Sequence, residues 1–455
     1  MQDDDAGRRL AAVADLVVTC LRGMVAGGLT ATDRLPTIDD EDFRAWLARH
    51  GATDETLASP LVTGMYDLVF AYEGGDPDRP AFSAGLGLFL AAKMFFDYKG
   101  ALFWKMRAGM GDVVFAPIYQ ALRARGVQFE FFARLDALRL APDGRRLAAI
   151  ELTRQARVRG GADAYDPLVR VRGLPCFRAG PDGAQLAGPV PAGTEEHGPR
   201  QPTDRPETLA VGRDVDVAVL ATSLGAVPHV AADLVATSER WRSLVAGVAT
   251  VPTQAAQLWL TRTEAELGWP HPAATLSGWA KPFDTYASMT HLLPMEDWPE
   301  ADRPRGLVYL CSALDESVPG GAAPEAVRRA VADLLGGRMG DLWPAAAAAG
   351  PAGAVLHGGL DAQFVTAVTD PSDRYVQSLP GSGRHRLRVD ESGVAGLVLA
   401  GDWTRCGLDA GCIEAAVLSG LEAANAVLGR PLLDGVLGAW YPLATPVDER
   451  EAVDA

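Results

Sequence analysis

Val398-Leu-Ala-Gly-Asp-Trp-Thr-Arg-Cys-Gly-Leu-Asp-Ala-Gly-Cys-Ile-Glu-Ala-Ala-Val-Leu-Ser-Gly420 reads as a strand, a polar turn and the start of a helix. The apolar run Gly396 to Ala400 has strand length and ends at Gly401. Asp402 and Thr404 put a carboxylate and a hydroxyl on the turn. Gly411 is expected to let the backbone approach a ligand with no Cβ in the way. From Cys412 a helix is predicted, with Ile413, Ala416, Val417 and Gly420 at helical spacing. Its first N–H groups have no partner within the helix, and its positive dipole end faces the turn, an arrangement suited to a large anionic ligand.

Working outward, Val215-Asp-Val-Ala-Val-Leu-Ala-Thr-Ser-Leu-Gly225 is a near-continuous apolar strand of the kind buried in a parallel sheet. Residues 8–30, 59–72 and 82–104 read as helices, as does the stretch Thr37 to Leu47, where Asp39 or Asp40 would cap a helix with an acidic first turn and Phe43, Trp46 and Leu47 on one face. From Gly109 the pattern is a glycine turn, a helix closed by Gly126 and a strand through Gln128 to Phe132. Strands are expected at 147–152, 168–171, 254–261, 274–278 and 306–312, and a helix with Pro324 in its first turn follows. Residues 173–210 are rich in Pro, Gly and charge and read as an excursion or loop, and 448–455 as an acidic tail.

The pattern Leu-Ala-Gly-Asp-Trp-Thr, followed by Ala-Gly-Cys-Ile-Glu-Ala-Ala-Val-Leu-Ser-Gly, resembles the C-terminal FAD-binding segment of the phytoene-desaturase and flavin amine-oxidase superfamily. The resemblance implies that Asp402 contacts the ribityl-pyrophosphate region of FAD. It further implies that the Cys412 and Ile413 amides meet the pyrimidine edge of the flavin, and that the backbone of Leu135 lies beside the adenine. Trp403 either packs beside the isoalloxazine or belongs to the core. The cofactor-binding candidates are therefore Gly401, Asp402, Trp403, Thr404, Gly411, Cys412, Ile413 and Leu135, with FAD as the cofactor. Tyr98-Lys-Gly-Ala-Leu-Phe-Trp-Lys-Met106, Gly111-Asp-Val-Val-Phe-Ala-Pro117, Pro282-Phe-Asp-Thr-Tyr286 and Asp370-Pro-Ser-Asp-Arg-Tyr-Val376 resemble one bacterial branch of these oxidoreductases and extend the likeness over nearly the whole chain.

The superfamily opens with a strand and Gly-x-Gly-x-x-Gly, which seats the pyrophosphate on a helix N-terminus. The chain opens Met1-Gln-Asp-Asp-Asp-Ala-Gly-Arg-Arg-Leu10 and supplies no such unit: Gly109-Met-Gly111 lacks a preceding apolar strand, and Gly27-Gly28 follows a helical run. The expected fold class is α/β, an incomplete Rossmann-like FAD-binding domain interleaved with a mixed α+β substrate domain. Its expected parts are a helical part of the substrate domain (1–106), an FAD-domain segment (107–235, with an excursion at 155–212), the substrate-domain sheet and helices (236–385), a C-terminal FAD segment (386–435) and a tail (436–455).

The function so implied is oxidation of a C–H bond in an apolar or amine substrate, of desaturase or amine-oxidase type. The alternative is a non-catalytic remnant or subunit that needs a separate N-terminal FAD-binding piece as its partner. No Ser-His-Asp or Cys-His constellation is legible, so no catalytic residue is assigned. Lys281, Asp284, Tyr286, Arg374, Tyr375 and Glu414 stand as possible cofactor neighbours or as salt bridges and packed rings. The 455 residues carry a formal charge of −16, which disfavours nucleic acid and anionic lipid surfaces as partners. Five scattered cysteines imply a reducing, cytoplasmic setting, and seven dispersed histidines give no metal-ligand spacing. The apolar stretch 84–106, interrupted by Lys93, Asp97, Lys99 and Lys105, is either a surface helix dipping into lipid or a buried helix lining a substrate cavity.

Overall fold

The computed structural model describes residues 2–29, 32–98, 100–101, 103–189, 205–346 and 352–429. Part of the 155–212 excursion and the tail at 436–455 lie outside the described residues.

The chain begins with helices α1 (Gln2–Ala26), α2 (Phe43–Arg49), α3 (Asp54–Leu57), α4 (Pro60–Leu68), α5 (Ala84–Phe96) and α6 (Ala116–Ala124). Phe43, Trp46 and Leu47 are buried on one face of α2, as their spacing predicts. Its cap, however, is Asp42 and not Asp39 or Asp40: the Asp42 carboxylate accepts from Ala45 N at 3.0 Å. It also accepts from the Tyr66 hydroxyl at 2.8 Å and Phe82 N at 3.0 Å, so one side chain ties α2, α4 and the approach to α5. The predicted helix from Phe82 ends at Phe96, well short of Trp104, and the chain turns beyond Asp97 with Gly100 at φ +80°. The first half of α5 is buried, whereas Phe96 and Trp104 are largely exposed.

The strands are β1 (Ala133–Leu140), β2 (Leu147–Arg154), β3 (Leu168–Val171), β4 (Leu174–Phe177), β5 (Arg205–Ala210), β6 (Ala218–Leu220), β7 (Thr250–Val251), β8 (Thr253–Leu260), β9 (Thr275–Leu276), β10 (Thr285–Ser288), β11 (Gly306–Ala313), β12 (Phe364–Val368), β13 (Tyr375–Val376) and β14 (Leu397–Leu399). The strand expected at 128–132 does not form. Phe129 and Phe131 pack edge-on to Tyr119, Phe132 sits at φ +59°, and extended pairing begins only at Ala133. Leu135 consequently lies inside β1, paired with Leu152, and not after a strand.

Strands β1, β2 and β5 form an antiparallel sheet, and β12-β8-β11-β10-β9 a five-stranded one. Along β8, Ala256, Leu258 and Leu260 alternate onto one face. They share a core there with Val327, Val331 and Leu334 of helix α10 (Ala323–Gly336), which has Pro324 in its first turn; three shorter helices, α7 (Val227–Val230), α8 (Ala232–Thr237) and α9 (Glu239–Gly247), precede it, and α11 (Met339–Leu342) and α12 (Ile413–Leu428) follow.

Strands β6 and β14 pair in parallel, Ala218 to Leu397 and Leu220 to Leu399, as their apolar runs suggest. The pair is short, and among the described residues β6 has β14 as its one neighbour. Val217, just before β6, and Val219 within it are 42% and 47% exposed. One apolar core spans Leu29 to Phe89 in the helical block and Leu408, Ala410, Ala415 and Leu418 in the C-terminal segment.

Candidate cofactor site

The site is built where β6 and β14 end side by side. After β14 the chain turns at Gly401, whose φ of +138° suits glycine, and a Cβ there would meet Trp403 Nε1 at 2.5 Å. Trp403 is fully buried, and its indole N–H donates to Thr222 O at 2.9 Å, tying the turn to the end of β6. Trp403 is thus a core residue, and its ring is not free to stack on a flavin. Thr404 is buried too: its hydroxyl donates to Gly401 O at 2.8 Å and leaves the turn no outward hydroxyl. Gly401 N donates to Ser419 Oγ at 2.8 Å, which anchors the turn to α12.

Gly411 faces the protein's own core. A Cβ on it would lie 2.5 Å from Tyr375 Cζ and 2.7 Å from Val376 O, and the Tyr375 hydroxyl donates to Gly411 O. The expected close approach is therefore to Tyr375, not to a ligand. Helix α12 begins at Ile413 with Cys412 as an extended cap residue that makes no side-chain capping bond. Ile413 is 43% exposed, and Glu414 is exposed in the first turn. Leu135 packs against the same core as Trp403, Leu397 and Leu399, which brings β1 beneath this turn.

Sequence reasoning missed the charged shell under the turn. Arg386 is 1% exposed; it donates to Asp402 O at 2.7 Å and to Gln377 O at 3.2 Å. Burial pushes the Asp402 carboxyl above its usual range, with Arg386 pulling it back down. Asp409 is raised by burial against the pull of Arg386 and Arg405, and the Arg405 guanidinium is lowered by burial. The Cys406 and Cys412 thiols are pushed up to about 11 and about 12 by burial, so neither is a ready thiolate. Within this shell Thr222 Oγ1, Ser223 Oγ, Gln377 Oε1, Arg386 Nε and Arg405 Nε are buried without a hydrogen-bond partner. Native folds leave few such atoms unpaired. The sequence signal for Arg386 was a cation in the Ser382-Gly-Arg-His-Arg-Leu387 turn just before the C-terminal segment, with no periodicity to mark it as buried.

Of the other possible neighbours, Tyr375 lies against the turn, with its ring 5.0 Å from Phe70 and its hydroxyl raised by burial. Arg374 turns away, donating to Thr369 O at 3.1 Å. Tyr286 is a packed core ring bonded to the buried Glu264. Lys281 and Asp284 join the buried Asp67 on the far side of Tyr72.

Residues 207–428, which contain β6, β14, the turn and α12, match the family described as flavin containing amine oxidoreductase. Over this span, just under half of its length, the chain is similar to the flavin amine-oxidase superfamily. It is an FAD-dependent oxidoreductase, and its fold is of the mixed α/β class. The solved structures similar to it include two of note. One is an oxidoreductase from Methanosarcina mazei, with 11% identity and a TM-score of 0.47, covering 85% of this chain and 68% of that one. The other is wild-type putrescine oxidase bound to putrescine, with 10% identity and a TM-score of 0.49, covering 94% and 76%. No curated protein matches the chain. Among the described residues no helix is long and apolar enough to cross a membrane.

Proposed function

We propose that FAD is held at the ends of β6 and β14 and that the enzyme oxidises a C–H bond of a medium-sized amine or apolar substrate. The carrying observation is the set of five buried, unpartnered polar atoms around the Asp402 turn. Hydroxyls of Thr222 and Ser223 and the cation of Arg386 suit a polar, anionic chain such as the ribityl-pyrophosphate. The uncapped start of α12 adds free N–H groups and a positive dipole end. Asp402, half-buried beside them, suits a hydroxyl donor on the cofactor. Bound FAD supplies the two-electron acceptor. The chain's own residues supply orientation, a water-poor floor and positive potential. Of the sequence candidates, Asp402, Cys412 and Ile413 remain as cofactor contacts, with Gly401, Trp403, Thr404 and Gly411 shaping the turn.

The test is titration of the purified chain with FAD, followed by flavin fluorescence quenching and by retained absorbance after desalting. Thr222→Val with Ser223→Ala should weaken retention about tenfold or more, because buried polar partners of the ligand are lost. Unchanged retention in that pair would refute the placement.

A second reading is favoured by the open edge of β6. Val217 and Val219 are exposed there, and Ile413 and Val417 on α12 are 43% and 56% exposed beside the pair. A strand–Gly-x-Gly-x-x-Gly–helix unit, wherever it is encoded, would extend the sheet at this edge and cover that helix face. In this reading residues 1–455 retain FAD only when such a unit is present. An in-frame fingerprint in the coding DNA upstream of Met1 supports it, and stoichiometric FAD on the chain alone overturns it.

A further inference from the structure

Lys281, Asp284 and Tyr72 line a cavity of about 300 Å³, and Lys281 ties them to the buried Asp67 behind it. Its walls are apolar: Pro77, Ala313, Leu314, Val318, and Ala326 and Ala330 of α10. Gln254, which lines it, shares its face of β8 with Ala256 and Leu258, so the cavity opens on the α10 side of the five-stranded sheet.

With Asp284 ionised, the hydrogen-bonding capacity left over on the side chains of this cavity is all of one kind. An ammonium has three donors, and those of Lys281 are used on Asp67 at 2.8 Å, Tyr72 at 2.8 Å and Asp284 at 2.9 Å. The Tyr72 hydroxyl donates to Asp67. Gln254 is 5% exposed, and its amide nitrogen donates to Ser312 Oγ at 3.1 Å and Ala313 O at 3.2 Å. Its amide oxygen accepts from nothing among the described residues and borders the cavity. Asp284 and Asp315 add carboxylates. What remains is a set of acceptors in an apolar pocket.

We infer that this cavity binds a small primary amine as its ammonium ion, with the head group donating to Gln254 Oε1 and Asp284 and the alkyl tail against α10. A carboxylate ligand would meet the acids Asp284 and Asp315 and a lysine with no spare proton. A neutral alcohol would offer one donor to several acceptors. The site needs no flavin and is independent of the cofactor placement above.

Ionisation at the site supports the same chemistry. The Asp284 carboxyl is raised to about 7 by burial and by Asp67, with Lys281 opposing. The other groups facing it are the Tyr72 hydroxyl, raised by burial, and the Cys311 thiol, pushed up to about 12, so both stay neutral. Near neutrality Asp284 therefore exchanges a proton, and an arriving ammonium favours its release.

The test is calorimetric titration of the flavin-free full chain with n-butylammonium chloride, with n-butanol and sodium butyrate as controls. Saturable binding by the amine alone is expected, tighter at about pH 8 than at about pH 6, with proton release that varies with buffer. Gln254→Leu should weaken it about tenfold or more. Ala330→Phe, which fills the cavity from α10, should abolish it. Butyrate binding as tight as the amine, no saturable binding, unchanged binding in Ala330→Phe, or binding that appears only after FAD is added would each overturn the inference. FAD retention by the same variants reads the cofactor placement separately.

Discussion

Gly411→Ala separates two roles for a glycine that the sequence leaves open. The added methyl carbon would stand 2.5 Å from Tyr375 Cζ and 2.7 Å from Val376 O. Neither neighbour yields easily. The carbonyl is backbone, and the ring is held edge-on to Phe70 at 5.0 Å and by its hydroxyl bond to Gly411 O. Overpacking of this kind costs about 1–3 kcal/mol, and loss of the hydroxyl bond adds about 1 kcal/mol. The expected loss is therefore about 2–4 kcal/mol in protein free of flavin. Urea unfolding followed by both circular dichroism and tryptophan fluorescence reads it, provided the two midpoints coincide. In a Tyr375→Leu background the ring and its hydroxyl bond are gone while the approach to Val376 O stays, so the same alanine should cost about 1–2 kcal/mol, a coupling of about 1–2 kcal/mol. Additive losses, or an alanine variant of full stability that has lost only FAD binding, would refute the argument and return Gly411 to the ligand.

Three other perturbations follow from the same structure. Asp284 binds a proton in the folded state up to about pH 7 and in the unfolded chain only to about 3.8. Its contribution to stability should therefore fall as pH rises through that window, and Asp284→Asn should flatten the slope in melting curves taken across it. Lys281→Met leaves two buried carboxylates without their partly exposed cation and should cost about 1–3 kcal/mol near neutral pH and less in acid; equal losses at both would argue against it. Asp42→Ala removes a cap and two further bonds to a carboxylate and should destabilise by about 2–4 kcal/mol in denaturant unfolding.

Much of the fold was legible in local pattern. The strand, turn and helix at 398–420 lie where spacing put them, and the apolar run from Val215 does supply a strand parallel to it. Contacts made by distant residues were not legible. Four acids in a row, Asp39-Asp40-Glu41-Asp42, offered several caps, and only the position of Tyr66 and Phe82 selects Asp42. A glycine advertises space without saying what fills it, so Gly411 read as a ligand contact. Arg386 and Thr222 carry no periodic signature, and their importance comes from burial beside a turn far away in sequence. Asp67 did leave a trace, as a lone acid in the apolar helical run Val62-Thr-Gly-Met-Tyr-Asp-Leu68.

The core shared by the N-terminal helices and the C-terminal segment limits how this enzyme can move. Leu408, Ala410, Ala415 and Leu418 are buried against Leu29 to Phe89, and the Gln377 amide donates to both Phe70 O and Tyr72 O at 2.7 Å. The start of α12 and the helical block must therefore travel as one rigid body, because sliding them apart would expose close-packed apolar surface. Any breathing that admits a substrate has to be sought elsewhere, where the packing is thinner. By the same reasoning, a fragment cut to residues 207–428 would leave half of that core behind and should not survive on its own.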